Sequence, residues 1–316
     1  MKIEAQRELF EQTKQIYESV RLRFRGVDGY DVYNPSVPFT WHGVRYIFGR
    51  MERRKEWARS WVRLFSETGP DEWTLVPDSM IYQLEDPFIS VVRGTLVLGG
   101  THVRFRQGKI DTYYGYFYRG ADVNDLFYFT TGPDHMKDIR LVELMDGRIG
   151  VFSRPSGEEI RKKYGSASSI GFAGVDSLDD LNDSAIQNAA PIEGLFGEGE
   201  WGGCNQCYRL GSGLLGIVGH KSYLGHDAGG NEQRVYMNMS FVFDPKSHRA
   251  EDVKIIGTRS CYPEGPAKRP YLSDCVFTSG IVMRPDGKAD LYSGMGDTEV
   301  GRITIDYPFA GYGEIL

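Results

Sequence analysis

The sequence predicts an all-β chain, a five-bladed β-propeller preceded by an N-terminal helix. Three observations carry this expectation. Gly makes up 39 of 316 residues, and 19 of the 41 aromatics are Tyr, a composition that favours short strands joined by tight turns. After residue 29 the hydrophobic pattern runs in short stretches of period two. Five segments then repeat one layout: a polar residue opening a strand, a turn Gly, and an apolar strand ending in another polar group.

In chain order, residues 3–25 read as one helix, with Leu9, Thr13, Ile16, Tyr17, Val20 and Phe24 at three- and four-residue steps. Gly26 and Gly29 stop it. Residues 1–29 are therefore taken as a helical segment that plugs one end of the β domain, and 30–316 as a single propeller domain. The five openers are Asn34, Asp86, Asp138, Asn205 and Asp274, and the five turn glycines are Gly43, Gly94, Gly147, Gly213 and Gly287. Asn34 to Arg50, Asp86 to His102, Asp138 to Arg154 and Asn205 to Lys221 each span 16 residues, whereas Asp274 to Asp297 spans 23. The openers lie 52, 52, 67 and 69 residues apart, near the length of one propeller blade. Residues 155–204 interrupt the repeat, as a blade's outer strands or a functional loop. The stretch PEGPAKRP (263–270) is a proline-bracketed loop feeding the fifth unit.

Innermost strands of a propeller line its central channel, so openers and closers should meet at one mouth. Carboxylates and amides interleaved with Arg50, His102, Arg154, His220 and Lys221 make a polar pocket suited to a polyhydroxylated or phosphorylated ligand. Pro87 should hold Asp86 extended, and strand alternation should turn only one of Glu85 and Asp86 inward. Arg154, His220 and Lys221 would make an anion site, because three converging cations without an anion would repel one another.

Other classes are disfavoured. The formal charge is −6, with 37 basic against 43 acidic residues, so no basic nucleic-acid footprint is present. No apolar run is long enough to span a bilayer and the N-terminus lacks a signal-peptide core, so a cytoplasmic location is expected. Gly197 to Gly202 fits GxGxxG, but no helix pattern follows and two acids sit inside it. The CxxC of Cys204 and Cys207, with Cys261 and Cys275 elsewhere, reads as buried thiols rather than a zinc site. No metal and no cofactor are expected.

The segments LEDPFISVVRGTLVLGGTH, KDIRLVELMDGRIGVFSRP, LLGIVGHKSY and LSDCVFTSGIVMRPDGKADLYSGMGDTEVG resemble successive blades of the β-mannoside phosphorylases of glycoside hydrolase family 130. The nearer likeness is to their sister group, formerly domain of unknown function 1861 and now the β-1,2-mannosyltransferases and phosphorylases of glycosyltransferase family 108. It covers about residues 30–312. The resemblance implies an inverting β-1,2-mannoside phosphorylase or mannosyltransferase, with Asp86 as the catalytic acid and Arg154, His220 and Lys221 holding phosphate. It places the sugar at Asn34, Arg50, Glu52, Lys137, Asp138 and Asp297, and the repeat adds His102 as a further substrate-binding closer. Ser153-Arg154-Pro155 stands where the phosphorylases show His-Arg-Pro. The partners implied are mannose, a β-mannoside or mannose 1-phosphate, with GDP-mannose as a second donor, and inorganic phosphate. Neither nucleic acid nor membrane is implied, and a homo-oligomer stays open. Two further readings remain: an inverting hydrolase using Glu52, Glu85 or Asp274 as base, and a non-catalytic sugar-binding propeller.

Overall fold

Past the first two strands, most strands pair with a neighbour in the chain. A computed structural model describes residues 2–316. The protein is mostly β, in four hydrogen-bonded sheets, the largest of eight strands.

Five antiparallel groups make up these sheets. The first holds Asp31–Tyr33, Phe39–Trp41, Val44–Glu52, Trp61–Gly69 and Glu72–Leu75. The second runs Glu85–Val92, Thr95–Arg106, Lys109–Gly120 and Leu126–Thr131, and the third Arg140–Glu143, Ile149–Ser153, Gly171–Val175 and Ala190–Pro191. The fourth has Trp201–Arg209, Leu215–His226, Glu232–Asp244 and Arg249–Gly257. The fifth has Asp274–Met283, Ala289–Met295 and Glu299–Ile305, and joins the fourth through a short parallel pairing of Val235 with Asp274 and Tyr236 with Cys275. Residues 155–204 thus carry mainly the outer strands of the third group, with short helices at Glu158–Tyr164 and Asp183–Gln187 between them.

The hairpin joining the first two strands of each repeat turns on Gly43, Gly94, Gly147, Gly213 and Gly287, all with φ between 75° and 86°. Side chains with a Cβ adopt this left-handed region only at a cost, which is why the turn glycine marks every unit.

The core is divided among the interfaces between groups. Phe48, Leu64, Leu84 and Leu98 fill the space between the first and second groups. Phe88, Phe117, Leu141 and Val151 fill the next. Phe152, Phe172, Ile217 and Phe241 join the third and fourth groups, and Val218, Val242, Val276 and Ile303 the fourth and fifth. Ile47, Phe65 and Trp73 meet Tyr292 and Val300, returning from the fifth group to the first.

The N-terminal helix is shorter than expected. It covers Ile3–Thr13, and the chain is extended at Lys14. Glu18–Arg21 pairs with residues 301–304 as the outer strand of the fifth group, and Arg23–Arg25 pairs in parallel with residues 72–74. Val20, Leu22 and Phe24 are spaced by two and supply a strand face, while Val20 and Phe24 alone also fit a helical step of four. Sheet edges with free backbone groups decide between the two periods. The helix rests against the fourth and fifth groups through Ile3, through Arg7 paired with Asp274 at 2.7 Å, and through Glu11 accepting from Thr258. Among the described residues no helix is long and apolar enough to cross a membrane. All four cysteines are free and buried.

Candidate active site

Four Asn and Asp residues, three buried and Asp297 half-buried, hold a left-handed backbone: Asn34 (φ 43°), Asp86 (49°), Asp138 (56°) and Asp297 (57°). Asn and Asp tolerate this region better than other side chains with a Cβ. Asp86 is therefore not extended as Pro87 suggested. The pairing of the Asp86 strand slips here: Glu85 faces Thr101, and the next partner pair is Phe88 with Gly99. A bulge cancels the alternation of strand faces, so Glu85 and Asp86 both line one cavity, where only one acid was expected.

This cavity has a volume of about 450 Å³. Asn34, Arg50, Glu85, Asp86, Lys137 and Asp297 supply its polar lining. The Arg50 guanidinium lies between acids, donating to Asp86 Oδ1 at 2.8 Å and to Glu85 Oε1 at 2.7 Å, with Nε on Ser60 at 2.8 Å. Asn34 Nδ2 donates to Asp86 Oδ1 at 2.9 Å and to Asp297 Oδ1 at 3.3 Å. Gly294 makes room for this network, since a Cβ there would lie 1.8 Å from Asn34 Oδ1. The Glu85 carboxyl is pushed up to about 7, by burial and by Asp86, against the pull of Arg50. Burial also raises the Asp297 carboxyl, opposed by Arg50 and reinforced by Asp86.

A second chamber of about 360 Å³ adjoins the first, and Tyr113, Lys137, Arg234 and Tyr236 line both. Its other lining includes Arg154 and His135. Arg154 donates to Asp138 Oδ2 at 2.7 Å. Burial alone would raise the Asp138 carboxyl, but Arg154 and Lys137 hold it well below the usual carboxylate range. Asp138 in turn raises the pKa of the half-buried Lys137 ammonium against the cost of burial. His220 stands one layer behind, its ring stacked on Tyr236 at 5.4 Å. Its Nδ1 meets Asn205 Oδ1 at 2.8 Å, and burial lowers its pKa to about 3, against the pull of Asp138. His220 lines neither chamber; its Nε2 lies 4.0 Å from Asp138 Oδ2, so it meets the anion chamber through Asp138. The buried atoms Asn34 Oδ1, Asp138 Oδ1, Asn205 Nδ2 and His220 Nε2 have no hydrogen-bond partner within the described residues.

Several expected residues are not brought to these chambers. His102 faces away, because Thr101 and Val103 on either side of it take the cavity wall. Its Nδ1 donates to the Gln83 carbonyl at 3.0 Å. Lys221 follows His220 and so points to the opposite face, where it pairs with Glu200 at 2.9 Å beside the N-terminal helix. Glu52 is buried behind Arg50, held by Lys268, Tyr33 and the Arg59 amide. Asp274 is taken by Arg7. The slip that matches those at Asp86 and Asn205 falls between Thr278 and Gly280, so Asp274 does not occupy the opener's place in the fifth group. Conversely, Arg234, Tyr236 and Tyr113 were not anticipated. Arg234 and Tyr236 share a face of the third strand of the fourth group, and that alternation was the available signal. Among the described residues no set of three or more His, Cys, Asp or Glu could hold a metal ion.

The family described as a protein of unknown function (DUF1861) matches residues 8–311. A solved structure of MPT-4, a mannose phosphorylase from Leishmania mexicana in complex with phosphate ion, is 54% identical, with a TM-score of 0.94 over 99% of this chain and 96% of that one. MPT-1, a GDP-Man-dependent mannosyltransferase from the same organism, is 51% identical, with a TM-score of 0.93 over 100% and 98%. The β-1,2-mannobiose phosphorylase of Listeria innocua shares the fold at 15% identity, with a TM-score of 0.62 over 88% and 91%. No curated protein matches.

Proposed function

The chain belongs to the DUF1861 family, and from that premise we propose that it is an enzyme of mannosyl transfer: an inverting β-1,2-mannoside phosphorylase moving mannose reversibly between a β-mannoside and phosphate. The five antiparallel groups are then blades of one propeller, with Asn34, Asp86 and Asp138 at its mouth.

One observation carries this reading: a chamber with carboxylates around Asp86 adjoins a chamber holding Arg154, and Lys137 and Arg234 lie on the wall the two share. An inverting hydrolase needs an acid and a base that activates water. A phosphorylase needs only the acid, because phosphate is already an anionic nucleophile. In this scheme Asp86 delivers a proton to the leaving oxygen, directly or through a sugar hydroxyl. Arg50 and Asn34 hold Oδ1, and Oδ2 makes no hydrogen bond within the described residues. Phosphate in the cationic chamber attacks the anomeric carbon from the opposite face as the bond to the leaving oxygen breaks. Lys137, Arg154 and Arg234 orient it and offset its charge. Asp138 positions Arg154, and Asn205 positions His220.

The alternative bases support the hydrolase reading poorly. Glu52 and Asp274 are tied to Lys268 and Arg7, and Glu85 Oε1 is held by Arg50 at 2.7 Å. Incubation with mannose 1-phosphate and mannose should yield disaccharide and free phosphate. GDP-mannose in a parallel reaction tests whether the chamber takes a diphosphate donor. Mannoside cleavage that proceeds equally without phosphate would replace this reading with the hydrolase.

A further inference from the structure

The geometry points to a covalent modification site behind the anion chamber: Cys204 and Cys207 close reversibly into a disulfide when hydrogen peroxide reaches them, and the closure loosens the phosphate site. The first half stands on the thiols alone, and the second rests on the mannosyl-transfer reading. The two Sγ atoms lie 3.3 Å apart. Residues three apart on a regular strand face opposite ways. Here Cys204 pairs with Gly219, Gln206 with Val218 and Cys207 with Ile217, so Asn205 is an extra residue in the ladder. That bulge leaves the two cysteines two ladder steps apart on one face. Two steps span about 6.6 Å, near the upper end of the Cα separation of roughly 4.4–6.8 Å that a disulfide bridges. Closing the bond therefore draws the strand in, and the slack for it lies at Asn205.

Access and chemistry fit a small oxidant. Cys207 lines a cavity of about 560 Å³, together with Leu141, Gln206 and the C-terminal Ile315 and Leu316, whereas Cys204 is fully buried. The Cys207 thiolate attacks the peroxide: an S–O bond forms, the O–O bond breaks, and the departing hydroxide leaves as water with the proton the thiol gave up. Cys204 Sγ then attacks the sulfenic sulfur: the S–S bond forms, the S–O bond breaks, and a second water leaves. Two thiols are oxidised to one disulfide, and one peroxide is reduced to two waters. Burial, with Cys204 beside it, raises the Cys207 thiol against the pull of Arg140, so the first step is slow. Asn205, between the two cysteines, is where the new bond is felt. Its carbonyl accepts from Arg140 Nε at 2.7 Å, and its Oδ1 meets His220 Nδ1 at 2.8 Å. His220 Nε2 in turn lies 4.0 Å from the Asp138 carboxylate that holds Arg154. The other two thiols lie apart: Cys275 donates to the Arg234 carbonyl at 3.2 Å, and Cys261 sits in the core between the fourth and fifth groups.

The test uses the full chain carrying Cys261→Ser and Cys275→Ser, which leaves this pair alone. Reduced protein is exposed to excess hydrogen peroxide, denatured, alkylated with iodoacetamide, digested and weighed by mass spectrometry. The peptide carrying both cysteines is expected two hydrogens lighter and unalkylated, and dithiothreitol should restore two alkylation sites. The same digest of the wild-type protein reads the pair if the background variant does not fold. Before denaturation, oxidation should raise the KM for phosphate about five- to tenfold, the scale of one or two lost hydrogen bonds, and dithiothreitol should reverse it. With Cys204→Ser or Cys207→Ala added to the background, the same treatment should leave the KM for phosphate where it was. A peptide with Cys204 alkylated after peroxide, whether Cys207 is alkylated or over-oxidised, would overturn the site. A disulfide that leaves the KM for phosphate unchanged would overturn the coupling through Asn205. The mass readout needs no turnover, so its failure is separate from a failure of the mannosyl-transfer reading.

Discussion

The two chambers share a wall but differ in charge and in construction. Around Asp86, three carboxylates (Glu85, Asp86, Asp297) crowd the Arg50 guanidinium, with Lys137 and Arg234 on the wall shared with the second chamber, and burial raises the carboxyls of Glu85 and Asp297. Around Arg154, cations outnumber acids, and the one buried acid, Asp138, is held far into its ionised range. One side of the cavity retains protons and the other retains anions. Lys137 lies on the wall between them, charged because Asp138 is beside it. A reaction that protonates one oxygen while an anion attacks on the far side uses both properties at once.

The largest expected effect breaks the proton side alone. Asp86→Asn keeps an acceptor for Arg50 and Asn34 and tolerates the left-handed backbone. It cannot deliver a proton. Turnover should fall by about 10² or more, with the melting temperature nearly unchanged. Activity that survives would transfer the acid role to Glu85 or Asp297. Next comes the anion side. Arg154→Ala should cost on the order of a hundredfold in kcat/KM for phosphate, read with mannoside saturating. It also strands Asp138 as a buried charge and so lowers stability. Arg154→Lys keeps a charge for Asp138 and should recover the melting temperature while still weakening phosphate use, because the planar fork is gone. Equal phosphate kinetics in all three proteins would remove Arg154 from the chamber's function.

What was legible in the sequence differs between the chambers for the same physical reason. The five turn glycines are legible because a left-handed φ is a local demand that leaves a local mark. Asn34, Asp86 and Asp138 are legible as strand openers at matched spacing. The inward turn of Glu85 is not, because the bulge after it depends on how Glu85–Val92 pairs with Thr95–Arg106. His102 and Lys221 show the same weakness, since a step of one residue moves a side chain to the other face. Lys221 reads as a partner of His220 and is in fact its opposite. Arg234 and Tyr236 come from a third strand and line one chamber with Arg154 through the packing of the third group on the fourth, which leaves no signature in spacing. The N-terminal helix overran because Val20 and Phe24 satisfy two periods.

A pH experiment sharpens the contrast with a smaller effect. Glu85 titrates near 7 in the folded protein, against an ordinary value of 4.5. Between these values the folded state holds a proton that the unfolded chain has released. The stability contributed by that proton is present at low pH and is lost as pH rises through about 7. Glu85→Gln cannot lose it. The melting temperature of the variant should therefore gain on the wild type between pH 5 and pH 8, and any limb of the rate profile near neutrality should flatten with a change of several-fold at most. Parallel stability curves across that range would show that Arg50 keeps Glu85 ionised throughout.

The smallest effect on catalysis is expected at Lys221, and it separates the anion chamber from a cation that only neighbours it in sequence. Lys221 is buried, donates to the Leu195 carbonyl at 3.2 Å and pairs with Glu200. Glu200 also accepts from the Gly197 amide at 2.7 Å, so the pair braces the turn that leads into the strand Trp201–Arg209. Lys221→Met leaves Glu200 buried without its cation, a change worth about 3–5 kcal/mol of stability. Glu200→Gln added to Lys221→Met removes the stranded charge and should restore part of the lost melting temperature. Through both changes, kcat and the KM for phosphate per folded molecule should stay at wild-type values, because the side chain points away from Arg154 and Lys137. A tenfold rise in the KM for phosphate that the second substitution leaves uncorrected would return Lys221 to the anion site and overturn the face assigned to it.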